Sequence, residues 1–256
     1  MGIDRKRIYY QGVREAKDRL IKTEIGNLHL MHPAYGHRRI SLALGHNRKK
    51  ILRIMHKYGL KPPRRKRRKL WLTRSVNSHH YTNLIKGIVP TRPSQIFASD
   101  LTYLKYQSKF IYLATVEDIF TREIVAAELA DRHDSVLALN AIRQAVNQNT
   151  PEIFHSDQGS EFMAEAVTGF LEKKGVKISV SDKGAPWQNG YKESFLGRFK
   201  DENGDLNRFE SLGELIEEAY SYIYYYNHLR IHTSLKMTPF QFRQKHVDSV
   251  SRKLGT

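Results

Sequence analysis

The sequence predicts an α/β protein with a mixed sheet and flanking helices, preceded by a small basic helical domain. From about residue 91, three strand-like runs rich in β-branched and aromatic residues follow one another, and helix-like and strand-like segments then alternate. Before that point the apolar residues recur at helical spacing. The charge divides at the same place. Residues 1–90 hold 23 Lys and Arg against 4 Asp and Glu, a net +19, whereas residues 91–256 hold 20 against 22, a net −2.

The composition narrows the class of protein. A formal net charge of +17, concentrated in the first third, indicates a nucleic-acid or other polyanionic partner for that part. The chain has no cysteine, so disulfides and thiolate metal sites are excluded. It has no membrane-spanning run of 18 apolar residues and no apolar secretory segment. We expect a soluble, intracellular protein that binds a polyanion and has no membrane partner.

Residues 1–60 are predicted to form a helical DNA-binding region. After a first helix, "HRRISLAL" should be a short helix that ends at Gly45. Asn47 is the expected N-cap of a basic helix over "RKKILRIMHK", which should end before Gly59. Helix, glycine turn and basic helix is the helix-turn-helix pattern, although a small helical bundle would look the same. The candidate DNA contacts are Arg38, Arg39, Arg48, Lys49 and Lys50.

Residues 61–90 read as a basic linker. The stretch "KPPRRKRRK" holds seven basic residues and two prolines, so it cannot form a packed element. It could be a solvated tether or a localisation-type signal. We favour an arm that follows DNA phosphates, because a basic helix flanks it. Its candidate contacts are Arg64, Arg65, Lys66, Arg67 and Arg68.

Residues 91–245 are predicted to form the α/β core. Three strands cover "SQIFASDLTYLK", "KFIYLATVEDIF" and "REIVAAELA", and two shorter ones cover "EIFHSD" and "VKISVS". Helices are expected over "DSVLALNAIRQAVNQN" and over "SEFMAEAVTGFLEKKG", the second with Phe162, Ala166 and Phe170 in line. Another helix should start near Asn189. The last long helix opens at the capping box Ser211 to Glu214, and its expected inward face is Leu212, Leu215, Ile216, Ala219, Tyr220 and Ile223. Residues 246–256 read as a C-terminal tail.

Three carboxylates stand out by their positions. Asp100 falls inside the first strand, where a charge is unusual, and Asp157 directly follows a later strand, at the edge where α/β sheets build their sites. Glu193 falls in the first turns of the helix after "APWQNG". Asn189, Glu193, Gly197 and Lys200 form one polar or small stripe of that helix, so Asn189 and Lys200 are candidate DNA contacts beside Glu193.

A cluster of these carboxylates requires cations. Two unit charges about 4 Å apart repel by roughly 4 kcal/mol at an effective dielectric constant near 20. Oxygen ligands without thiols suit Mg²⁺ or Mn²⁺. Two such ions can activate an attacking oxygen and stabilise the leaving oxygen of a phosphodiester. Asp100, Asp157 and Glu193 are therefore both the candidate catalytic residues and the candidate ligands of two metal ions.

Several quoted stretches carry a family resemblance. Asp157 and Glu193 have 35 residues between them, and Lys200 follows Glu193 by seven. "HSDQGSEF", "GAPWQNGYKESF" with the following "RFK", and "YYNHLRIHTSLKMTPFQF" resemble the DDE transposase and retroviral integrase superfamily, most closely transposases of the IS3 type. "YGHRRISLALGHNRKKILRIMHKYGL" resembles the small helical segment upstream. The resemblance spans roughly residues 10–245.

The resemblance implies a ribonuclease-H-like fold with Asp100, Asp157 and Glu193 as the metal-binding triad. It implies that water or a DNA 3′-hydroxyl attacks a phosphodiester, so that one site cleaves the element ends and then transfers the strands. It also implies that Lys200 contacts terminal DNA near the scissile phosphate. The expected partners are double-stranded DNA at the element ends and the target, and further copies of the chain in a multimer; a protein from an upstream reading frame is a further candidate partner. The resemblance also implies a cytoplasmic protein of a bacterium or archaeon, associated with the nucleoid.

Several other polar residues have structural interpretations or leave two interpretations open. We interpret His155 and Ser156 as structural neighbours and Asp118 as a strand-end residue, and Asp182 as part of a mobile loop. Gln158 could touch DNA or shape its turn. The tyrosines of "YSYIYYYN" should pack with an exposed rim, although a base-stacking platform is conceivable. Arg230 and His232 could bind DNA or pin the C-terminal segment. A zinc site at His79 and His80 is rejected, because the chain has no cysteine.

Two other functions stay open from the sequence. A non-catalytic DNA-binding remnant or regulator of transposition would share the basic region, although it would not need an intact triad. A ribonuclease acting on RNA–DNA hybrids would share the fold. That function explains neither the 35-residue spacing nor "YYNHLRIHTSL".

Overall fold

The structure is a computed structural model that describes residues 5–63, 81–181 and 190–254. The chain divides into two compact units, which are described separately below. The helical unit comprises Met1–Lys66 and Arg230–Met237, and the α/β unit comprises Arg67–Leu229 and Thr238–Thr256. Within the described residues, no helix is both long and apolar enough to cross a membrane.

The helical unit contains the predicted helix, turn and basic helix. Gly45 follows the second helix with a φ of 66°, a left-handed conformation that favours glycine. The Asn47 side chain accepts a hydrogen bond from the Lys49 N–H and caps the third helix, as predicted. Ile25, Ile40 and Ile51 are fully buried and join the three helices in one core. The helices are α1 (Arg5–Met31), α2 (His37–Leu44) and α3 (Arg48–Lys57).

The α/β unit contains a five-stranded mixed sheet in the order β3-β2-β1-β4-β5. The first three strands form an antiparallel meander, as the runs of β-branched and aromatic residues predict. β4 and β5 then add in parallel on the other side of β1. The strands are β1 (Ile96–Tyr106), β2 (Lys109–Asp118), β3 (Ile124–Ala130), β4 (Ile153–Ser156) and β5 (Lys177–Val180).

Helices cover both faces of the sheet. One core contains residues of α4 and α5 together with Phe97, Val116 and Phe154 of the strands. The opposite core contains residues of α6 and α7 together with Leu104 and Leu113. The predicted α/β class, with a mixed sheet and flanking helices, is confirmed. The helices are α4 (Ser135–Gln148), α5 (Glu165–Lys173), α6 (Gly190–Asn203), α7 (Leu212–His228) and α8 (Pro239–Leu254), with a short 3₁₀ turn at Leu206–Arg208.

The helix predicted over "SEFMAEAVTGFLEKKG" begins later than expected. The N–H groups of Phe162 and Met163 both donate to the Gly159 carbonyl in a turn, and α5 starts only after Ala164 in an extended conformation. Phe162 is buried outside the helix, and the buried face of α5 is Val167 and Leu171. The line of Phe162, Ala166 and Phe170 was therefore the wrong face.

The inward face of α7 differs in part from the prediction. Leu215 and Ala219 are buried as predicted, whereas Leu212 and Tyr220 are 41% and 45% exposed, and Tyr222 and Tyr226 are buried in their place. The alternation of buried and exposed tyrosines matches the expected packed helix with an exposed rim. The Ser211 hydroxyl accepts the Glu214 N–H at 3.2 Å, so the predicted N-cap is confirmed.

The last helix, α8, runs to Leu254, so most of residues 246–256, which the sequence suggested as a tail, are helical. Thr238 and Gln241 form a reciprocal cap, in which the Gln241 N–H donates to the Thr238 hydroxyl at 3.1 Å and the Thr238 N–H donates to the Gln241 side chain at 3.2 Å. Phe242 lies against Phe120, with ring centroids 5.3 Å apart. This contact packs α8 against the turn between β2 and β3.

Candidate active site and nucleic-acid interface

Asp100 lies in the middle of β1, half-buried, opposite Thr115 of β2. Its Oδ1 accepts the Leu101 N–H at 2.9 Å. Side chains alternate along a strand, so Asp100 shares a face with Leu104 and Tyr106, which belong to the core with α6 and α7. The Asp100 side chain therefore belongs to the face of the sheet that α6 covers.

Asp157 directly follows β4, the strand that pairs with β1 in parallel. Ala98 lies opposite His155, and each aspartate comes two residues after its member of that pair. Neighbouring strands are about 4.8 Å apart, so continuing this register past the end of β4 would bring Asp157 beside Asp100. The parallel register thus favours a close approach of the two carboxylates that the sequence singled out.

The turn after Asp157 is shaped around its carboxylate. The Gly159 N–H donates to Asp157 Oδ1 at 3.0 Å. A β-carbon at residue 159 would lie 2.6 Å from Glu161 Oε1 and 3.0 Å from Asp157 Oδ1, so only glycine fits without displacing one of them. Gln158 Nε2 donates to the Ser181 carbonyl at 3.2 Å, which favours the turn-shaping role of Gln158.

His155 and Ser156 form hydrogen bonds that hold the chain in place just before this turn. Both are fully or almost fully buried. His155 Nδ1 lies 2.9 Å from the Ser179 hydroxyl, which joins β4 to β5. The Ser181 hydroxyl donates to the Ser156 carbonyl at 3.2 Å. These contacts agree with the interpretation of His155 and Ser156 as structural neighbours.

Helix α6 packs against β1 and carries Glu193 in its first turn. Phe195, Leu196 and Phe199 are buried against the sheet and fix the rotation of the helix. The Glu193 side chain lies outside the described residues, as do Asn189, Asp182 and the rest of the loop before α6.

Lys200 is on the last turn of α6. Its Nζ lies 4.4 Å from the centroid of the Tyr103 ring, a cation–π contact. Tyr103 is three residues after Asp100 on β1 and packs edge-on against Phe110, with ring centroids 5.6 Å apart. The ammonium group that the sequence predicted as a DNA contact is therefore held beside the strand that carries Asp100. Sequence reasoning missed Tyr103, because only the fold brings it to Lys200.

The carboxylates fit a hard divalent cation by their chemistry. Asp100 and Asp157 offer only oxygen ligands, which suit Mg²⁺ or Mn²⁺. Within the described residues no three potential ligands come together, and the side chain of the third predicted ligand, Glu193, falls outside that part. Glu193 on α6, together with Asp100 on β1 and Asp157 after β4, would make a ligand set of three carboxylates.

A second group of acidic residues lies at the turn between β2 and β3 and is structural. Asp118 is 3% exposed and accepts N–H groups of Ser94, Phe120 and Thr121. Burial raises the pKa of the Asp118 carboxyl, and these hydrogen bonds oppose the rise. Burial also raises the pKa of Glu123, whose Oε2 lies 3.2 Å from Arg243 Nε on α8. Asp118 was rightly interpreted as a strand-end residue, whereas the burial of Glu123 carried no sequence signal.

The helical unit exposes part of the predicted basic set. Arg38, Arg48 and Lys49 are exposed and Lys50 is half-buried. Arg39 is half-buried, and its Nε donates to the Ile231 carbonyl at 2.9 Å. The linker residues 64–68 lie outside the described residues.

Asp18 anchors α1 to α3 in the helical unit. It is 2% exposed and accepts two hydrogen bonds from the Arg53 guanidinium at 2.6 and 2.7 Å. These bonds, together with one from Lys57, lower the pKa of the Asp18 carboxyl to about 2. The pairing uses Arg53 and Lys57 of the basic helix for structure, so only part of that helix is available to a polyanion.

Comparisons with known proteins identify the family. Residues 90–186 match the family described as Integrase core domain, and residues 174–239 match a second Integrase core domain family. The chain is 31% identical to the insertion element IS600 uncharacterized 31 kDa protein of Shigella sonnei, over 91% of this chain and 90% of that protein. It is 30% identical to the putative transposase InsK for insertion sequence element IS150 of Escherichia coli, over 82% and 78%. A transposase-like protein of Haemophilus influenzae is 33% identical over 77% and 93%.

Solved structures share the fold. The HTLV-2 integrase catalytic core domain, solved with magnesium in a trimeric form, aligns with a TM-score of 0.50 at 21% identity, over 59% of this chain and 97% of that chain. The simian T-cell lymphotropic virus intasome, solved with a PP2A regulatory subunit, aligns with a TM-score of 0.54 at 18% identity, over 85% and 73%. The fold is thus the ribonuclease-H-like fold of integrase catalytic cores.

Fold and site define an integrase-type catalytic core joined to a basic helical unit. The similarity to insertion-element proteins along nearly the whole chain adds the family. The chain belongs to the insertion-element transposases of the DDE and integrase superfamily, and its function is DNA transposition.

Proposed function

We propose that this transposase is of the IS3 type and that Asp100, Asp157 and Glu193 are its catalytic triad. The carrying observation is the parallel register of β1 and β4, in which Ala98 pairs with His155, two residues before Asp100 and Asp157 respectively. The packing of α6 on β1 supports a third carboxylate from Glu193, because that helix covers the face from which Asp100 starts.

Asp100, Asp157 and Glu193 would hold Mg²⁺ or Mn²⁺, two ions in all, as the oxygen ligands suggest. Such ions supply Lewis-acid activation of the attacking oxygen and neutralise charge on the phosphate. Two displacements at phosphorus follow. Attack by water forms one P–O bond and breaks the bond to the DNA 3′-oxygen, which leaves as a 3′-hydroxyl. That hydroxyl then attacks a target phosphodiester, so the second step replaces one P–O bond by another.

The neighbouring residues have positioning roles in this proposal. The Gly159 N–H fixes one oxygen of Asp157 by a hydrogen bond. The Lys200 ammonium, held over Tyr103, would pair with a phosphate of the terminal DNA. Arg38, Arg48 and Lys49, exposed on the helical unit, would contact phosphates of the element end.

The partners are proposed from the same site. Cleaving and joining two element ends needs two copies of the active site, so we infer a multimer assembled on paired DNA ends, and a DNA substrate implies work at the nucleoid. Relatives solved as an intasome and as a trimeric core are consistent with multimers. A separate upstream-frame protein would add to the sequence-specific recognition of the ends.

The test is a metal-dependent cleavage assay on labelled duplexes that carry the ends of the element. Wild type is compared with Glu193→Gln, and DNA binding is measured in parallel. A matched control is Glu217→Gln, the same change at an exposed glutamate of α7. We expect nicking at the ends with Mg²⁺ or Mn²⁺ in wild type and in the control. We expect none in Glu193→Gln, which should still bind DNA.

Other outcomes separate the alternatives. Binding without cleavage in wild type, even after the upstream-frame protein is added, would identify a non-catalytic regulator. Cleavage confined to an RNA–DNA hybrid would identify a ribonuclease. Equal cleavage by wild type and Glu193→Gln would remove Glu193 from the triad.

A further inference from the structure

A short segment from the C-terminal half of the sequence is part of the helical unit. This strap, Arg230–Met237, connects α7 to α8 along the chain but belongs to the compact unit of α1, α2 and α3. It is a tight hairpin, in which the His232 N–H donates to the Met237 carbonyl at 2.9 Å and the Lys236 N–H donates to the His232 carbonyl at 2.8 Å. Lys236 has a φ of 61°, as such a reversal requires.

Both backbone polar groups of Ile231 are bound by side chains of the motif "YGHRR". The Ile231 N–H donates to the Tyr35 hydroxyl at 2.7 Å. The Arg39 Nε donates to the Ile231 carbonyl at 2.9 Å. The Arg39 guanidinium also lies over the Tyr35 ring, 5.7 Å from its centroid, so the two side chains form one binding site for the Ile231 backbone.

The strap also completes the apolar core of the unit. The Ile231 side chain packs against the cluster of Tyr35, Ile40, Ile51 and Ile54, in which Tyr35 is 1% exposed and the isoleucines are fully buried. Arg230, at 2% exposure, is enclosed as well. Arg230 is thus inaccessible to DNA in this arrangement, which favours the pinning role that the sequence left open.

We propose that Tyr35 and Arg39 are a docking site for the strap, and that the strap keeps the helix-turn-helix unit in its DNA-binding form. Arg39 is therefore a positioning residue and does not contact phosphate, unlike its exposed neighbour Arg38. The helical unit is assembled from two separated stretches of chain. An N-terminal fragment without Arg230–Met237 would lack part of the core.

The strap reaches the DNA-binding surface through this core. Ile51 and Ile54 lie on the buried face of α3, the same helix that exposes Arg48 and Lys49. Loss of Ile231 from the core would loosen the face on which α3 rests. The effect on DNA binding rests on the proposed function, whereas the docking itself does not.

The docking is tested without DNA by hydrogen exchange on the full chain. Ile231→Asp puts a charge into the core, and Ser234→Asp adds the same charge at an exposed position of the strap. We expect exchange of the α3 amides to become at least about tenfold faster in Ile231→Asp and to stay unchanged in Ser234→Asp. Amides of β2 should stay protected in both, which shows that the α/β unit is folded. Tyr35→Phe keeps the ring and should speed exchange of the Ile231 amide roughly fivefold.

The role of Arg39 is tested by the salt dependence of binding to the element end. Each phosphate contact contributes about 0.9 to the slope of log K against log salt concentration. Arg38→Gln should reduce the slope by about that amount. Arg39→Gln should weaken binding with an unchanged slope, and Ile231→Asp should do the same relative to Ser234→Asp.

Two results would overturn the proposal. Unchanged exchange of the α3 amides in Ile231→Asp and of the Ile231 amide in Tyr35→Phe would show that the strap does not hold the unit. A slope reduced in Arg39→Gln as much as in Arg38→Gln would make Arg39 a phosphate contact. If even wild type fails to bind element ends, the proposed function fails, and the exchange experiment still decides the docking.

Discussion

Gly159→Ala should disturb the turn after Asp157, the proposed metal ligand. The added β-carbon would lie 2.6 Å from Glu161 Oε1, 2.8 Å from Glu161 Cδ and 3.0 Å from Asp157 Oδ1. Glu161 cannot swing away easily, because it is 5% exposed. The Ser160 hydroxyl donates to Glu161 Oε2 at 3.2 Å, and His133 Nε2 lies 3.4 Å from Glu161 Oε1.

The size of the effect follows from these contacts. Ordinary contact begins at 3.4 Å, so a separation of 2.6 Å demands a shift of about 0.8 Å by the carboxylates or the turn. Overpacking of this kind costs about 1–3 kcal/mol of the free energy of unfolding. A catalytic group misplaced by about 1 Å can lose roughly 100-fold in rate, so we expect cleavage to fall by about 10- to 100-fold.

The assay combines end cleavage with thermal unfolding. Gly169→Ala is the matched control, because its β-carbon in α5 would meet nothing within 4 Å. That change should stabilise the helix by about 0.8–1 kcal/mol and leave cleavage unchanged. Adding Glu161→Ala to Gly159→Ala should recover part of the lost stability, since the closest clash is gone. Full cleavage and unchanged stability of Gly159→Ala would refute this reasoning.

Three further predictions concern single contacts. Tyr103→Leu removes the ring beneath Lys200 and should lower cleavage about 2- to 30-fold, whereas Tyr103→Phe keeps the ring and should cleave like wild type. Equal loss in both variants would make the hydroxyl the important group. The folded-state pKa of Asp18, about 2, lies below its ordinary value of 3.8, so Asp18 stabilises the helical unit above pH 3.8 and this stability is lost as the pH falls through about 2. Asp18→Asn should therefore weaken the pH dependence of α3 amide exchange over that range, and an unaltered dependence would contradict the pairing with Arg53. Thr238→Ala should cost about 0.5–2 kcal/mol by uncapping α8, which denaturant unfolding would detect and which unchanged stability would exclude.

Local signals were sufficient for much of the fold. The Asn47 cap, the left-handed Gly45 and the Ser211 cap are read from single residues, and each occurs where the sequence predicted it. The alternation in β1 and the position of Asp157 after β4 required only strand periodicity. These features depend on neighbours along the chain, so the sequence contains their cause.

The wrong predictions concern the buried faces of helices, which are determined by elements distant along the chain. Four-residue spacing made Phe162, Ala166 and Phe170 a plausible face, but the turn at Gly159 withdrew Phe162 from the helix. Tyr220 was expected inward, and packing against β2 and β3 instead selected Tyr222 and Tyr226. Local periodicity cannot distinguish two such faces when both contain apolar residues.

The contacts of Arg39 and Tyr103 were beyond local reasoning. The partner of Arg39, Ile231, is 192 positions away along the chain. Until the fold is known, Arg39 cannot be distinguished from the other basic residues of the helical region. The cap of α8 was missed in the sequence, although Thr238 is followed three residues later by Gln241, the spacing of a capping box.

The central claim is that Asp100, Asp157 and Glu193 converge on bound metal ions. Fe²⁺ substituted into such a site, with peroxide and ascorbate, cuts the protein backbone near its ligands, and the fragments can be sequenced. We predict cuts near residues 100, 157 and 193 that excess Mg²⁺ suppresses and that Glu193→Gln reduces at all three positions, while the exposed control Asp131→Asn leaves them unchanged. Cuts confined to the buried acidic turn at Asp118 and Glu123, or to His79 and His80, would contradict the triad.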